Sequence, residues 1–367
     1  MFLFWTITHL ARKILVKDNN YNSGGTIAVI GSGLVGALAY TFSDTFWFSA
    51  VEGEVYATSS LFTAVVFWAI LKWENVADEK YADRWLVLIA FLMGLSLGIH
   101  LLNLLAIPAI VLVYYFRKYK VTPPGIIFSL LISGFILLFI QFGVIQYVIE
   151  FASLHELLFV NTYGMPYNSG VIIFLGLLII YFVSGIGATH AENSKSEILY
   201  LVSFIALNFA IGKIILGLIF NIVFLIIYFV TKRDLFKTIV IFYLGTIPGY
   251  IVWLIFFGEK DKKELLKKFS NGYNLILVCF AVILIGYSSY TIIIIRSLAN
   301  PPMDENNPEH VFSLLPYLSR EQYGERPLIR GQYFNAPPIG TKKGEPTYTQ
   351  IKGKYKNLIV PDDSFNG

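Results

Sequence analysis

The chain has 367 residues, 56% of them hydrophobic and only 14% charged, with a formal net charge of +4. A soluble globular chain carries about 25% charged residues, so that class is excluded. So small a net charge, spread over short basic clusters, also excludes nucleic acid as a partner. One cysteine, Cys279, leaves neither an intrachain disulfide nor a cysteine metal site, and the five histidines lack metal-ligand spacing.

What remains is a series of apolar stretches near the roughly 20 residues that a bilayer core demands of a helix. Residues 1–16 are apolar, with basic Arg12, Lys13 and Lys17 at the end. A secretory signal has the opposite order, so this stretch reads as the end of a membrane helix whose start is missing. Further spans are expected at 26–42, 55–73, 85–99, 104–116, 126–149, 171–186, 198–230, 236–257 and 275–295. The expected fold is all-α: a polytopic helical membrane protein of about ten crossings. A transmembrane domain is expected over 1–299 and a polar tail over 300–367.

Basic clusters orient these spans. Arg12, Lys13 and Lys17, the stretch 72–84, the group Arg117, Lys118 and Lys120, and the stretch 260–268 all fall on one side. The positive-inside rule makes that side cytoplasmic. The other side receives 43–54, the turn at 100–103, the stretch 150–170 and the tail beyond Arg296. The span 198–230 carries Lys213 at its centre and reads as one long or kinked helix; a re-entrant turn capped by Lys213 is the alternative. In the tail, Asn307-Pro308-Glu309 has the order of a helix start. That helix is expected to run through Tyr323, to kink at Pro316 and to stop at Gly324. Beyond Asn335 the Pro, Gly and Lys content predicts extended chain.

The stretch 26–42 contains Gly31-x-Gly33-x-x-Gly36, with Glu52 and Glu54 near the spacing of a ribose-binding acid. A dinucleotide fold needs soluble βαβ units around that motif, and a series of membrane spans follows instead. Small residues in a membrane helix are ordinarily contact points between helices. The polar residues that could carry chemistry lie on the outer side. Asp44, Glu52 and Glu54 stand among Phe46, Trp47, Phe48 and Tyr56. They form either an aromatic belt with solvated acids or an acidic site where lipid-borne substrates arrive. Gly53 between the two glutamates permits close approach. His100 and Asn103 tip a short hairpin, as helix caps or as site residues. Arg296 ends the last span, where it either snorkels or holds a phosphate.

Four stretches together carry a resemblance: FSDTFWFSAVEGEVYATSSLF (42–62), GLSLGIHLLNLLAIPA (94–109), FVNTYGMPYNSG (159–170) and IGYSSYTIIIIRSLANPPMDENNPEHVFSLLPYLSREQYG (285–324). The chain resembles a family of large bacterial membrane proteins, common in Bacteroidetes and long catalogued as a domain of unknown function. That family is related to the animal transmembrane protein O-mannosyltransferase. The resemblance implies a GT-C glycosyltransferase fold in the bacterial inner membrane, with a periplasmic tail. It implies transfer of a sugar, mannose being the expected one, from a polyprenyl-phosphate carrier to Ser/Thr of exported proteins. The expected partners are the lipid bilayer, this lipid-linked donor and the exported acceptor. No covalently bound cofactor is implied, and metal dependence stays open. On this reading Glu52 and Glu54 are supporting acids, and Arg296 and His100 contact the donor phosphate. Family members also carry an Asp-x-Gly-Glu-Phe motif in a first external loop and a later His-Pro-Pro-Gly stretch, both missing here, and they continue past 332–336 into a soluble region. The main catalytic acid is therefore expected upstream of Met1, and the chain is expected to be an internal fragment, inactive alone. Pro316 stands where relatives tend to have a small polar residue. A transporter or flippase of a lipid-linked substrate is the competing class; it would place ionisable groups at mid-membrane, as Lys213 does. A non-catalytic scaffold is the third.

Overall fold

A computed structural model of the chain describes residues 1–16, 22–211, 219, 221–227, 262–319 and 340–364. Lys17, Lys213, the span expected at 236–257, Lys260, Gly324 and 332–336 lie outside the described residues. The described helices are α1 (Phe2–Leu15), α2 (Ser23–Thr41), α3 (Asp44–Val51), α4 (Tyr56–Val76), α5 (Arg84–Leu97), α6 (Ile107–Lys118), α7 (Pro123–Leu138), α8 (Val148–Glu156), α9 (Ser169–His190), α10 (Asn193–Ile211), α11 (Lys262–Tyr287), α12 (Thr291–Ser297) and α13 (Val311–Ser319). A 3₁₀ turn, Leu101–Ala106, leads into α6, and π-helical segments Phe139–Tyr147 and Leu157–Thr162 flank α8. Strands β1 (Gly340–Ile351) and β2 (Lys354–Ser364) form an antiparallel hairpin.

Among the described residues, five helical stretches are long and apolar enough to cross a membrane: Ser23–Thr41, Leu101–Lys118, Pro123–Thr162, Ser169–His190 and Ser270–Ser297. A sixth span results if α3 and α4, bent by 115° at their junction, count as one. The expectation of about ten therefore meets shorter pieces. Helices α1 and α5 have 14 residues each. At 1.5 Å per residue they reach about 21 Å, short of a hydrocarbon core of about 30 Å. Apolar side chains cover the outer surfaces of the spanning helices. Ile27 and Val35 on α2, Phe135 on α7 and Val183 on α9 are each at least two-thirds exposed. In a helix whose backbone bonds close internally, such a surface is matched to lipid rather than to water.

Two compact units divide the chain by contacts: Met1–Ile140 with Leu275–Tyr290, and Gln141–Asn274 with Thr291–Gly367. This division is distinct from the division by polarity expected at residue 300. In the first unit α4 is the central helix. Val66, Ala69, Ile70 and Trp73 have no exposed surface and recur at the i, i+3, i+4, i+7 spacing of one helical face. Trp73 stacks on Tyr114 with ring centres 5.0 Å apart. Helices α5 and α11 touch backbone to backbone, since a side chain on Gly94 would run into Ile283 and one on Gly286 into Leu95. The glycine motif of α2 has the same use. Side chains on Gly33 and Gly36 would run into Phe4, Thr8 and Ile7 of α1, so these are packing contacts, as small residues in membrane helices usually are.

In the second unit Ala152, Phe174, Ala210 and Val311 form the core of α8, α9, α10 and α13. One expectation fails here, and one stretch carries more structure than its polarity suggests. The stretch 150–170, expected on the outer side, is helical to Thr162 through α8 and its π-helical continuation. Its apolar residues pack inward, with Ala152 and Val160 buried, and that burial outweighs the loop-like polarity of the segment. The tail helix starts at Val311, not at Asn307. Asn306 and Asn307 have positive φ, and Asn307 Oδ1 accepts from Ser297 Oγ at 3.2 Å, so Asn307 has neither the backbone nor the side chain free to cap a helix. His310 does this instead, its Nδ1 accepting from Ser313 N at 3.3 Å. Pro316 lies inside α13 as expected. Extended chain beyond Asn335 is also found, but as a hairpin closed by Lys352 and Gly353, both at positive φ. Two successive left-handed residues are what a two-residue turn needs to match strand twist.

Candidate functional site

The acidic corner of the first unit is built by a broken helix. Ser43 Oγ caps α3 by accepting from Phe46 N. The helix ends at Glu52, Gly53 turns the chain at φ +70°, and α4 starts at Tyr56. A left-handed φ suits glycine because it has no Cβ. Glu52 and Glu54 therefore flank a sharp corner. Both are exposed, and among the described residues no hydrogen bond or ion pair engages either carboxylate. Asp44, at the first turn of α3, is exposed as well. The rings of Phe42 and Trp47 stack nearby at 6.3 Å.

His100 comes to this corner through Tyr56, whose ring centre is 5.4 Å from the imidazole. Its Nδ1 accepts from Leu102 N at 3.1 Å and caps the 3₁₀ turn. In the neutral ring the proton then sits on Nε2, which remains available as a donor. The cap thus leaves the second ring nitrogen of the same side chain as a donor. Asn103 differs. It is wholly buried, with Nδ2 donating to Ser96 Oγ at 3.0 Å and packed on Met93 Sδ at 3.2 Å. It locks the hairpin rather than facing out. Arg296, in the last turn of α12, belongs to the second unit; it is exposed and has no ion-pair partner among the described residues.

The opposite end of α4 is basic. Lys13 pairs with Glu74, Arg117 and Lys118 pair with Asp78, and Arg117 Nε and Lys118 Nζ donate to the Glu74 and Ala77 carbonyls at 3.0 and 2.6 Å. The hydrogen bonds from Lys118 and Arg117 hold the Asp78 carboxyl below its ordinary pKa. Three basic clusters separate in sequence are thus joined at one end. At 21 residues α4 spans about 32 Å between this end and the acidic corner.

A second acid, inconspicuous in the sequence, dominates the other unit. Glu156 has no exposed surface. Its carboxylate accepts from Asn168 N at 2.6 Å, Gly170 N at 2.9 Å, Val171 N at 3.2 Å and Tyr355 Oη at 3.1 Å. A negative charge at the start of α9 faces unpaired backbone N–H groups and the positive end of the helix dipole. Four donors match the carboxylate's four lone-pair positions. Asn161 receives the same hairpin: its Nδ2 donates to Tyr355 O and its Oδ1 accepts from Tyr355 N, both at 2.8 Å. Phe312 and His310 pack on the Tyr355 ring at 4.7 and 5.9 Å. The one signal in sequence is a glutamate inside an apolar helical stretch, which demands partners.

Residues 1–123 match the family model of the protein O-mannosyl-transferase TMEM260 N-terminal domain. That stretch holds α1 to α6, with both the acidic corner and His100. No curated protein and no solved structure matches the chain. The match supports an O-mannosyltransferase-like family for a helical membrane protein.

Proposed function

We propose that the chain is the membrane-embedded part of a GT-C glycosyltransferase of O-mannosyltransferase type. Its donor is a polyprenyl-phosphate sugar, and its acceptor is a Ser or Thr hydroxyl of an exported protein. The observation that carries this reading is the family match over 1–123, coinciding with helices that present at one end carboxylates unpaired among the described residues. In the reaction the acceptor oxygen attacks the anomeric carbon from the face opposite the phosphate. The sugar–phosphate C–O bond breaks, its electron pair leaves with the polyprenyl phosphate, and the hydroxyl proton passes to a carboxylate. Glu52 and Glu54 supply acidic support at the corner, and His100 Nε2–H faces the developing phosphate charge. Arg296 keeps a proposed role at the donor phosphate, tested by itself. By the positive-inside rule the basic end of α4 is cytoplasmic, which turns the acidic corner to the periplasmic side of a bacterial inner membrane. A periplasmic tail is a separate part of the proposal, resting on the charge bias along the sequence.

Membranes carrying the protein at its full natural length, supplied with polyprenyl-phosphate mannose and a Ser/Thr peptide, test the reading. Glu54→Gln is expected to lower transfer about 10²-fold with insertion unchanged, and Arg296→Gln to raise the KM for donor more than it lowers kcat. Transfer at the wild-type rate by Glu54→Gln returns this residue to a solvated belt.

A further inference from the structure

A cavity of about 470 Å³ opens among α1, α2 and α4 of the first unit, next to the basic end and away from the acidic corner. Its size falls in the range of small-ligand sites, about 300–1,000 Å³. Three helical faces line it. Trp5, His9 and Arg12 come from α1, Thr26 and Ile30 from α2, and Trp68, Lys72 and Asn75 from α4. Within each helix these residues are three or four positions apart, so each set lies on one face.

The lining is divided by chemistry. Arg12 and Lys72 bring two positive charges, and among the described residues neither has a carboxylate partner. The nearby acid, Glu74, is taken by Lys13, and its other oxygen lies 3.4 Å from His9 Nε2. Lys72 Nζ instead sits 5.7 Å from the centre of the Trp68 ring. Trp68 Nε1–H is buried and has no hydrogen-bond partner among the described residues, and a buried N–H without an acceptor is unfavourable. Trp5, Val29, Ile30 and Leu71 make the remaining wall apolar. Two cations without a carboxylate partner among the described residues, beside an apolar wall, form a complement to a phosphate carried on a hydrocarbon chain.

We infer that this cavity binds the headgroup of an anionic phospholipid of the surrounding bilayer. The outer face of α2 decides between a lipid and free phosphate as the source. Ile27, Leu34 and Val35 are 71%, 49% and 70% exposed, so the surface beside the cavity is one that acyl chains would cover. Arg and Lys beside Trp at a helix end is also the composition of a cytoplasmic headgroup boundary, where anionic lipids concentrate. This site is separate from the proposed donor site and stands or falls without it.

The test is native mass spectrometry of the full chain released from vesicles of equal phosphatidylglycerol and phosphatidylcholine. The wild type is expected to retain phosphatidylglycerol over phosphatidylcholine, and Arg12→Gln/Lys72→Gln to lower that retention about tenfold or more. Arg12→Lys should keep most of it, and Lys120→Gln, an exposed cation off the cavity, all of it. Ile30→Trp should expel the lipid by filling the apolar wall while every charge stays in place, which separates lost binding from lost folding. Equal retention by the double variant and the wild type overturns the inference. So does displacement of the lipid by millimolar inorganic phosphate, which would make the ligand a free ion.

Discussion

Glu54 and Glu156 are both glutamates next to a helix start, yet the two regions leave them in opposite states. At the acidic corner the chain turns on Gly53 and the carboxylates of Glu52 and Glu54 stay exposed, without partners among the described residues. In the second unit Glu156 is wholly buried and accepts four hydrogen bonds. A carboxylate whose lone pairs are all engaged has no capacity to receive a proton from a substrate, so it acts on structure. One with free lone pairs can take part in chemistry. Exposure and satisfaction, rather than residue type, separate the two.

Substitutions that exchange these behaviours break or sharpen the contrast. The largest effect is expected at Glu156. Glu156→Ala leaves three N–H groups and a phenol without their acceptor and should destabilise the folded protein by about 3 kcal/mol or more, read as a lowered unfolding midpoint in detergent. Glu54→Gln, which should lower transfer about 10²-fold, is expected to leave that midpoint within about 0.5 kcal/mol of wild type. If the midpoint falls equally in both variants, the contrast is lost. Next comes Tyr355→Phe, which removes the phenol donor to Glu156. The loss should be about 1 kcal/mol, and limited proteolysis should cut the 340–364 hairpin faster while helices α8 to α10 stay protected.

The smallest effect concerns pH. Burial lowers the pKa of His310 below its ordinary 6.5, against the raising influence of the Glu309 and Glu156 charges. A histidine with a depressed folded-state pKa contributes stability that is present above the unfolded value and is lost as pH falls through the folded value. Packing of His310 on Tyr355 should therefore weaken below about pH 6.5, with hydrogen exchange of the hairpin rising on acidification. His310→Phe should abolish that pH dependence while keeping the ring contact.

Much of the architecture is legible in local pattern. The stretches expected at 26–42 and 171–186 appear as α2 and α9, displaced at their ends by a few residues. Hydropathy sums over neighbouring residues, and a membrane span is a local sum. Charge bias alone assigns the basic clusters to one side, and Lys13, Glu74, Arg117, Lys118 and Asp78 do join at one end of α4. The acidic corner and His100 also stand out in the sequence, because unpaired polar residues at the end of an apolar stretch break the pattern.

The rest depends on residues far apart in the chain. Asn103 and His100 are three positions apart, and only packing turns one inward and leaves the other at the corner. The glycines of α2 fit a nucleotide motif in sequence, and it takes α1 lying against them to give them another purpose. Glu156 and Tyr355 are 199 positions apart. Composition and spacing set where helices form and which ends carry charge, because those terms are summed along the chain. Whether a given polar atom is satisfied or free is set by partners brought together in space, and no window of neighbouring residues contains that information.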